Sequence, residues 1–353
     1  MTILFLTRLF YPHIGGVEKH VMEVSRQLVQ RGHKVIVLTE QHQENLKGKE
    51  IINSVVIYRI PVGKSEWLKK FRIWRWLFIH QYLIVKADVV HYHDVFFWHL
   101  PFRFLFPKKP AYTTFHGYEA QFPPSKKAFL VRKLSEKLSK GNICVGDYIK
   151  KWYGTKPNYV TYGGIEIIQN SRQRRGSPKA AEFKIQKYNS KLKILFIGRL
   201  ENDTGLLIYL EALKILRKKE VDFEFEVCGD GSLRKLAEGE GRVHGFVPNL
   251  KTYLMRSDLI FSSSYLSILQ AMLFKRPVFA AYNNPLKEDY LKMAPFARWI
   301  VIENSAIRIA RKIIYHKYNK DKYNVLVEEG YNWVKAQRWD NVVSLYLKLW
   351  KMN

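Results

Sequence analysis

Cysteine is nearly absent from this chain. Only Cys144 and Cys228 occur in 353 residues, each inside an apolar run, so neither a disulfide framework nor a thiolate metal site is supported, and a reducing compartment fits. Long apolar runs are missing too: no stretch reaches the roughly eighteen residues that a spanning helix needs. Met1 to Phe10 has a short apolar core, Arg8 and no small-residue cleavage site, so the chain is expected to stay in the cytoplasm. No internal repeat or low-complexity tract is visible, which excludes solenoids and collagen-like arrays. Acidic residues are scarce, 31 against 59 Lys and Arg, for a formal net charge of +28. The excess is spread over both halves, +15 through Ile165 and +13 beyond. Such a surface favours anionic partners: nucleic acid, acidic headgroups or phosphorylated small molecules.

What is present is an ordinary globular composition, 47% hydrophobic and 25% charged, in a length that suits two domains of roughly 150 to 200 residues. Short β-rich runs alternate with helical patterns, the signature of parallel sheets covered by helices. The first half offers strands at Ile3–Thr7, Lys34–Thr39, Val55–Ile60, Val89–Asp94, Ala111–His116, Asn142–Val145 and Tyr159–Tyr162. The second offers Lys193–Gly198, Phe223–Gly229, Val243–Val247, Leu259–Ser262, Pro277–Ala281 and Trp299–Ile302. Each half reads as an α/β doubly wound sheet. The polar stretch 170–191, with Arg172, Arg174, Arg175, Gly176 and Pro178, lacks a sustained period and reads as a linker. The tail from Val325 to Trp350 is helical in pattern, with Trp333, Trp339, Leu345, Leu347 and Leu349 available for burial.

Several strand-to-helix junctions carry chemistry. Gly15 and Gly16, after His13 and before Glu18, let backbone amides approach an anion at a helix N-terminus, or simply form a tight turn. His116 to Glu119 follows the fifth strand at a carboxyl edge, where ligands of open sheets bind. His91, His93 and Asp94 at the previous strand end are pocket lining or a chance cluster; a metal site from His91, His93 and His116 is the weaker alternative, because no carboxylate or cysteine completes a recognisable ligand spacing. Arg199 at a strand end can fork onto a phosphate, or it pairs with Glu201 or Asp203. Gly229 to Gly231 forms another glycine turn, followed by Gly245, Phe246 and Val247. Ser262 to Ser264 open a helix whose free first-turn amides suit a pyrophosphate, unless Ser264 merely caps it. From Lys64 to Lys86 the residues Trp67, Phe71, Trp74, Phe78, Tyr82 and Val85 fall on one helical stripe. Lys64, Lys69, Lys70, Arg72 and Arg75 surround its first half, which suits an interfacial helix on anionic lipid or a core-packed helix with a solvated basic face. No zinc-finger, RNA-recognition or basic-zipper pattern supports a specific nucleic-acid partner.

These segments, in this order, resemble the family-4 retaining glycosyltransferases of the GT-B fold over nearly the whole chain. Tyr11 to Glu18 looks like the family's glycine-rich loop and Thr114 to Glu119 like its histidine-glycine strand end. Gly163 to Glu166 sits at its turn before the linker, while Gly198 to Leu200, Gly229 to Gly231 and Gly245 to Val247 match its C-terminal phosphate and base loops. The resemblance implies two Rossmann-like domains facing a cleft: an acceptor-binding domain over 1–168, a linker over 169–191, a nucleotide-sugar domain over 192–330, and a C-terminal segment, 331–353, returning to the N-terminal domain. It implies transfer of a hexose-type sugar from a nucleoside-diphosphate sugar with retention, without metal or resident cofactor. Arg199 would stabilise the departing phosphate and His116 would contact the donor sugar. Gly15, Gly16, Thr204, Gly229, Gly231, Ser267, Ile268 and Gln270 would line the donor, with Phe246 and Val247 by the base. His13, His91, His93, Asp94 and Glu119 would lie on the acceptor side.

Two positions depart from the family pattern. The lysine usual five residues after the arginine is Thr204, with Lys275 or Arg276 as candidate replacements. The two glutamates separated by seven residues are Ser262 and Gln270. The reading that follows is a glycosyltransferase peripheral to the inner face of the cell membrane, acting on a lipid-linked or polysaccharide acceptor. The alternative is a catalytically weakened subunit that binds nucleotide-sugar or glycan as the protein partner of an active transferase.

Overall fold

The computed structural model describes residues 1–117, 122–166 and 191–351. The chain divides into two compact units, Met1–Gly164 with Trp339–Asn353, and Ile165–Arg338. Each is an α/β unit built on a largely parallel sheet. The expected linker lies outside the described residues except for Lys191.

In the first unit the strands are β1 (Thr2–Thr7), β2 (Lys34–Glu40), β3 (Lys49–Ile52), β4 (Val55–Ile60), β5 (Val89–His93), β6 (Ala111–Phe115), β7 (Gly141–Val145) and β8 (Tyr159–Thr161). They pair in the order β3-β4-β2-β1-β5-β6-β7-β8. All run parallel except β3, which is antiparallel to β4. The parallel strands read as nearly unbroken apolar runs because both faces are covered, as in the wholly buried stretch Ile3–Thr7. β3 escaped the sequence reading because it is short and half charged. Its hairpin turns through Asn53 and Ser54, both at positive φ, the conformation that matches strand twist.

In the second unit β9 (Leu192–Ile197), β10 (Phe223–Cys228), β11 (Arg242–Val243), β12 (Leu259–Phe261), β13 (Val278–Ala281) and β14 (Val301–Glu303) form a sheet ordered β11-β10-β9-β12-β13-β14. Two expected strands change extent. The one read as Val243–Val247 ends at Val243, because Gly245 turns the chain at φ 71°. The one read from Trp299 starts at Val301, because Ala297–Trp299 takes one turn of 3₁₀ helix.

Two expected helices are each broken in two. The stretch read as one helix over 64–86 is Glu66–Ile79 followed by Tyr82–Lys86; His80 stacks on Trp76 at 3.8 Å where the chain turns. The tail is Lys320–Val334 and then Trp339–Lys351. This corrects the expected boundary at 331: Trp333 packs 5.3 Å from Trp299 and Val334 is buried, so this segment stays with the second unit to Arg338. Helix Trp339–Lys351 belongs to the first unit and buries Trp339, Val342, Val343, Tyr346, Leu349 and Trp350.

The second unit's core centres on Tyr209, stacked 4.5 Å from Phe261. Its buried hydroxyl donates to the Phe279 carbonyl at 3.0 Å and accepts the Ala281 amide at 2.6 Å. Tyr209→Phe should therefore cost about 1–3 kcal/mol, the penalty for stranding buried polar groups. Scanning calorimetry should show the corresponding transition several degrees lower; an unchanged midpoint would mean that the hydroxyl contributes nothing there.

Candidate functional site

In the second unit β10 and β11 are added on one side of β9 and β12 to β14 on the other, so β9 and β12 flank a topological switch point. Loops at strand carboxyl ends next to such a point are where open α/β sheets bind ligands. There Arg199 follows β9, Gly229–Gly231 follows β10, and Ser262–Ser264 follows β12. Gly229 is glycine for a steric reason: a Cβ there would lie 1.8 Å from the Gly198 carbonyl oxygen. The β9 and β10 loops thus touch backbone to backbone. Glu201 secures the contact by accepting the Ser232 amide at 2.9 Å and hydroxyl at 2.5 Å. Those two donors hold its carboxyl below the ordinary range.

Arg199 donates from Nη2 to Asp203 Oδ2 at 2.7 Å, and its side chain stays 55% exposed. The surface pairing weighed from sequence is therefore real, and it leaves the guanidinium at the strand end within reach of a ligand. Thr204 Oγ1 donates to the Glu201 carbonyl at 2.7 Å, so this hydroxyl is occupied by its own turn. Lys275 pairs with Glu328 at 2.7 Å and Arg276 donates to the Met255 carbonyl at 2.9 Å; each is committed to another surface, and neither replaces the missing lysine.

Helix Tyr265–Leu273 starts without a side-chain cap from Ser264. That hydroxyl bonds Ser267 Oγ instead, at 2.6 Å. The Tyr265 amide donates to the Tyr290 hydroxyl at 3.1 Å. Ile268 was expected to present its amide to a diphosphate, but that amide closes the first helical turn on the Ser264 carbonyl at 3.0 Å and is spent. Ser262, where a glutamate is usual, donates to the Ile197 carbonyl at 2.9 Å and ties β12 to β9. Gln270 is half-buried on the same helix, and Phe246 is exposed with Val247 half-buried beyond the Gly245 turn.

In the first unit the switch point lies between β1 and β5. Gly15 is the extended residue before helix Gly16–Gln30, again with no side-chain cap. Glu18 in the first turn pairs with His13 Nδ1 at 3.1 Å, so a carboxylate of the chain itself already sits at this helix N-terminus. Asp94 follows β5 in a left-handed conformation, φ 60°, which is costly for a residue other than glycine. Its carboxylate accepts the His116 amide at 3.1 and 3.2 Å, which fixes the turn after β6. Glu119 lies outside the described residues.

The histidines form one layer. Trp350 Nε1 donates to His91 Nδ1 at 3.1 Å. The indole can only donate, so a neutral His91 carries its proton on Nε2 and donates to Thr114 Oγ1 at 2.7 Å. Thr114 reaches the Tyr346 hydroxyl at 2.8 Å, which reaches His20 Nε2 at 2.9 Å. Both ring nitrogens of His91 are thereby used, which corrects its assignment to the acceptor side: it anchors the last helix. His93 Nδ1 and His116 Nε2 share a hydrogen bond of 2.8 Å, and the His20 ring meets that of His116 edge-on at 4.8 Å. Tyr346, Trp350 and His20 were missed in the sequence because their partners are up to 326 residues away. The visible signal was the aromatic spacing of Trp339, Tyr346 and Trp350. Among the described residues no group of three His, Cys, Asp or Glu side chains is arranged to hold a metal ion.

The stripe from Trp67 to Val85 faces outward. Trp67, Phe71, Phe78, Tyr82 and Val85 are exposed, while Ile73 and Leu77 face the core. Trp74 is the exception, half-buried and bonded from Nε1 to the Phe97 carbonyl at 3.1 Å. Lys64, Lys70 and Arg75 are exposed beside the stripe. Lys69 is instead drawn onto the nearly buried Glu40 at 2.8 Å, and Arg72 donates to the Val62 carbonyl at 2.9 Å. Among the described residues no helix is long and apolar enough to cross a membrane.

Comparison with known proteins agrees with this architecture. Residues 14–170 match Glycosyltransferase Family 4 and residues 191–314 match Glycosyl transferases group 1. An uncharacterized glycosyltransferase of Methanocaldococcus jannaschii is 23% identical over 99% of this chain and 97% of its own length. The GPI3 subunit of the phosphatidylinositol N-acetylglucosaminyltransferase of Saccharomyces cerevisiae is 32% identical over 59 residues. That match spans 17% of this chain and only 13% of the subunit. Among solved structures, sucrose-phosphate synthase from Thermosynechococcus elongatus superposes with a TM-score of 0.76 at 15% identity, covering 99% of this chain and 98% of that one. Anabaena HepE in complex with UDP-glucose gives 0.71 at 14% identity, with 99% of both chains covered.

Burial holds the histidine layer neutral. His20 is lowered to about 3, and His91, His93 and His116 fall well below their ordinary value; His99, outside the layer and bonded to the Tyr92 hydroxyl at 2.7 Å, is also lowered to about 3, in each case chiefly by desolvation. The unfolded chain binds these protons near pH 6.5 and the folded one does not, so their contribution is complete above pH 6.5 and shrinks as pH falls towards 3. Each group removes up to about 1.4 kcal/mol per pH unit in that window. The melting temperature should be level from pH 7 to 8 and drop steeply between pH 6.5 and 5. A level profile down to pH 5 would contradict neutral burial of the layer.

Proposed function

We propose that this chain, which belongs to the family-4 glycosyltransferases of the GT-B fold, transfers a hexose-type sugar from a nucleoside-diphosphate sugar to a lipid-linked or polysaccharide acceptor at the inner face of the cell membrane. The observation that carries the donor half is the gathering of Arg199, the Gly229–Gly231 turn and the uncapped start of helix Tyr265–Leu273 at neighbouring strand ends of one sheet. A guanidinium and a helix N-terminus both favour the charge that grows on a diphosphate as its bond to the sugar breaks. Arg199 then stabilises the leaving phosphate while the glycine turn lets backbone approach the nucleotide. The bond from the anomeric carbon to the diphosphate breaks, the acceptor hydroxyl bonds to that carbon from the same face and passes its proton to the departing phosphate oxygen, so configuration is retained, and Arg199 with the helix N-terminus meets the phosphate charge without metal or resident cofactor. His116, held by Asp94 and His93, is kept as a neutral group at the strand-end edge of the first unit. A structural relative bound to UDP-glucose supports a nucleotide-sugar as donor.

The exposed aromatic and aliphatic stripe, with Lys64, Lys70 and Arg75 beside it, supports the membrane half. Aromatic rings bury at a headgroup boundary while the cations meet anionic lipid. A second reading, a weakened transferase subunit working beside an active partner, is favoured by two observations. Thr204 and Ser262 are both spent on backbone carbonyls, and a segment of the chain is similar to the GPI3 subunit named above.

Calorimetric titration with UDP, GDP, ADP and CMP should find one that binds at micromolar affinity, and Arg199→Ala should weaken it on the order of a hundredfold. Binding with no turnover, tested against glycolipid acceptors, would favour the subunit reading; no binding would overturn both. In parallel, Trp67→Ser with Phe71→Ser should abolish sedimentation with phosphatidylglycerol vesicles. Unchanged sedimentation would rule out the stripe as the membrane contact.

A further inference from the structure

A buried lysine without a carboxylate partner among the described residues lies beside the phosphate loop. Lys287 is only 6% exposed, on helix Pro285–Lys292, which Asn284 caps by accepting the Lys287 amide at 2.8 Å. The ammonium thus belongs to the first turn of a helix, the end where the dipole disfavours a cation. It is also desolvated, and an isolated buried ammonium is costly. Among the described residues it makes no ion pair within 4.0 Å. The charged groups that bear on it are Asp203 and Arg199, and Asp203 is already held by Arg199 at 2.7 Å. On its own helix Glu288 is engaged by Tyr282 and Lys292, and the Lys287 Nζ stands 3.9 Å from the Tyr290 ring centroid. Tyr290 stacks on Tyr265 and its hydroxyl takes the Tyr265 amide at the start of helix Tyr265–Leu273. Asn283 ties the same turn to the β9 loop by donating to the Asn202 carbonyl at 2.9 Å. Two cations, Arg199 and Lys287, are set against one carboxylate, Asp203, that of the two only Arg199 contacts, which leaves an uncompensated positive charge that an anion would satisfy.

We propose that Lys287 supplies the cation that position 204 lacks, joining Arg199 in binding the diphosphate of the donor. The inference rests on the donor-site reading above and adds a residue from a different helix, one that neither the spacing after Arg199 nor the nearby Lys275 and Arg276 would indicate. It also gives the buried amine a partner that arrives with the substrate. Desolvation lowers its pKa to about 8 in the free protein, so a diphosphate at contact distance pulls a proton onto it.

Titration calorimetry of the full chain at pH 8.5, with UDP, GDP and ADP in buffers of different ionisation enthalpy, tests this directly. Wild type should take up a substantial fraction of a proton with the diphosphate that binds, and its affinity should fall as pH rises from 7.5 to 9.5. Lys287→Met, which keeps the buried volume, should bind that diphosphate roughly ten to a hundredfold more weakly, without proton uptake and without the pH dependence. Its affinity for the matching nucleoside should not change. Thr204→Lys added to Lys287→Met should restore diphosphate affinity. If Arg199→Ala loses the diphosphate while Lys287→Met keeps both affinity and proton uptake, Lys287 is a packing residue and the donor site stands without it. If wild type binds no diphosphate, the donor-site reading fails and this inference with it. Should Lys287→Met not fold, the proton uptake of wild type against its absence in Lys287→Gln decides.

Discussion

Burial of parallel strands on both faces is the constraint from which the rest of this molecule follows. A parallel pair needs a crossover, the crossover is a helix, and helices on both faces leave only the strand ends for loops. The loops that carry the candidate donor-site groups therefore come to one edge of each sheet. In the second unit Arg199, Gly229 and Ser262 are far apart in sequence, yet they terminate strands paired in register. The same reasoning places Gly15, His93 and His116 at the carboxyl edge of the first sheet, with His93 ending β5 and His116 following β6, two strands paired residue for residue.

Polar groups inside these units follow a different rule: each must find a partner or stay uncharged. The chain from Trp350 through His91, Thr114 and Tyr346 to His20 meets that rule by giving each group a partner, and the indole donor fixes the tautomer of His91. It also specifies where the last helix sits, since an apolar face alone would tolerate rotation or slippage. The histidines near the candidate chemistry are thus part of the packing of the first unit, and the position of His116 depends on residues more than two hundred positions away.

The phosphate loop of the second unit is organised by charge held in deficit. One carboxylate, Asp203, is set among two cations, one of them desolvated and carried on the unfavourable end of its helix. Such an arrangement costs stability in the empty protein and becomes favourable when an anion enters. It places the departure from the family pattern at Thr204 in a different light: a hydroxyl that serves its own turn leaves room for a cation delivered from elsewhere in the fold.

The sequence by itself determined the α/β class, nearly all the strands and the strand-end positions of Arg199, His116 and the glycine turns. Hydrophobic runs and glycine junctions are local, and local patterns survive without a structure. It also placed the aromatic stripe on one helical face, though not which face was buried, since Ile73 and Leu77 compete with Trp67 and Phe71 for the core. Only the tertiary structure decided that His91 is an anchor, that the amide of Ile268 is spent, that Lys275 and Arg276 look away, and that Lys287 lies beside Arg199. Each of those depends on which hydrogen-bonding group or charge stands opposite across a sheet edge or a neighbouring helix. Such partners are set by strand order and crossover, which no spacing along the chain encodes.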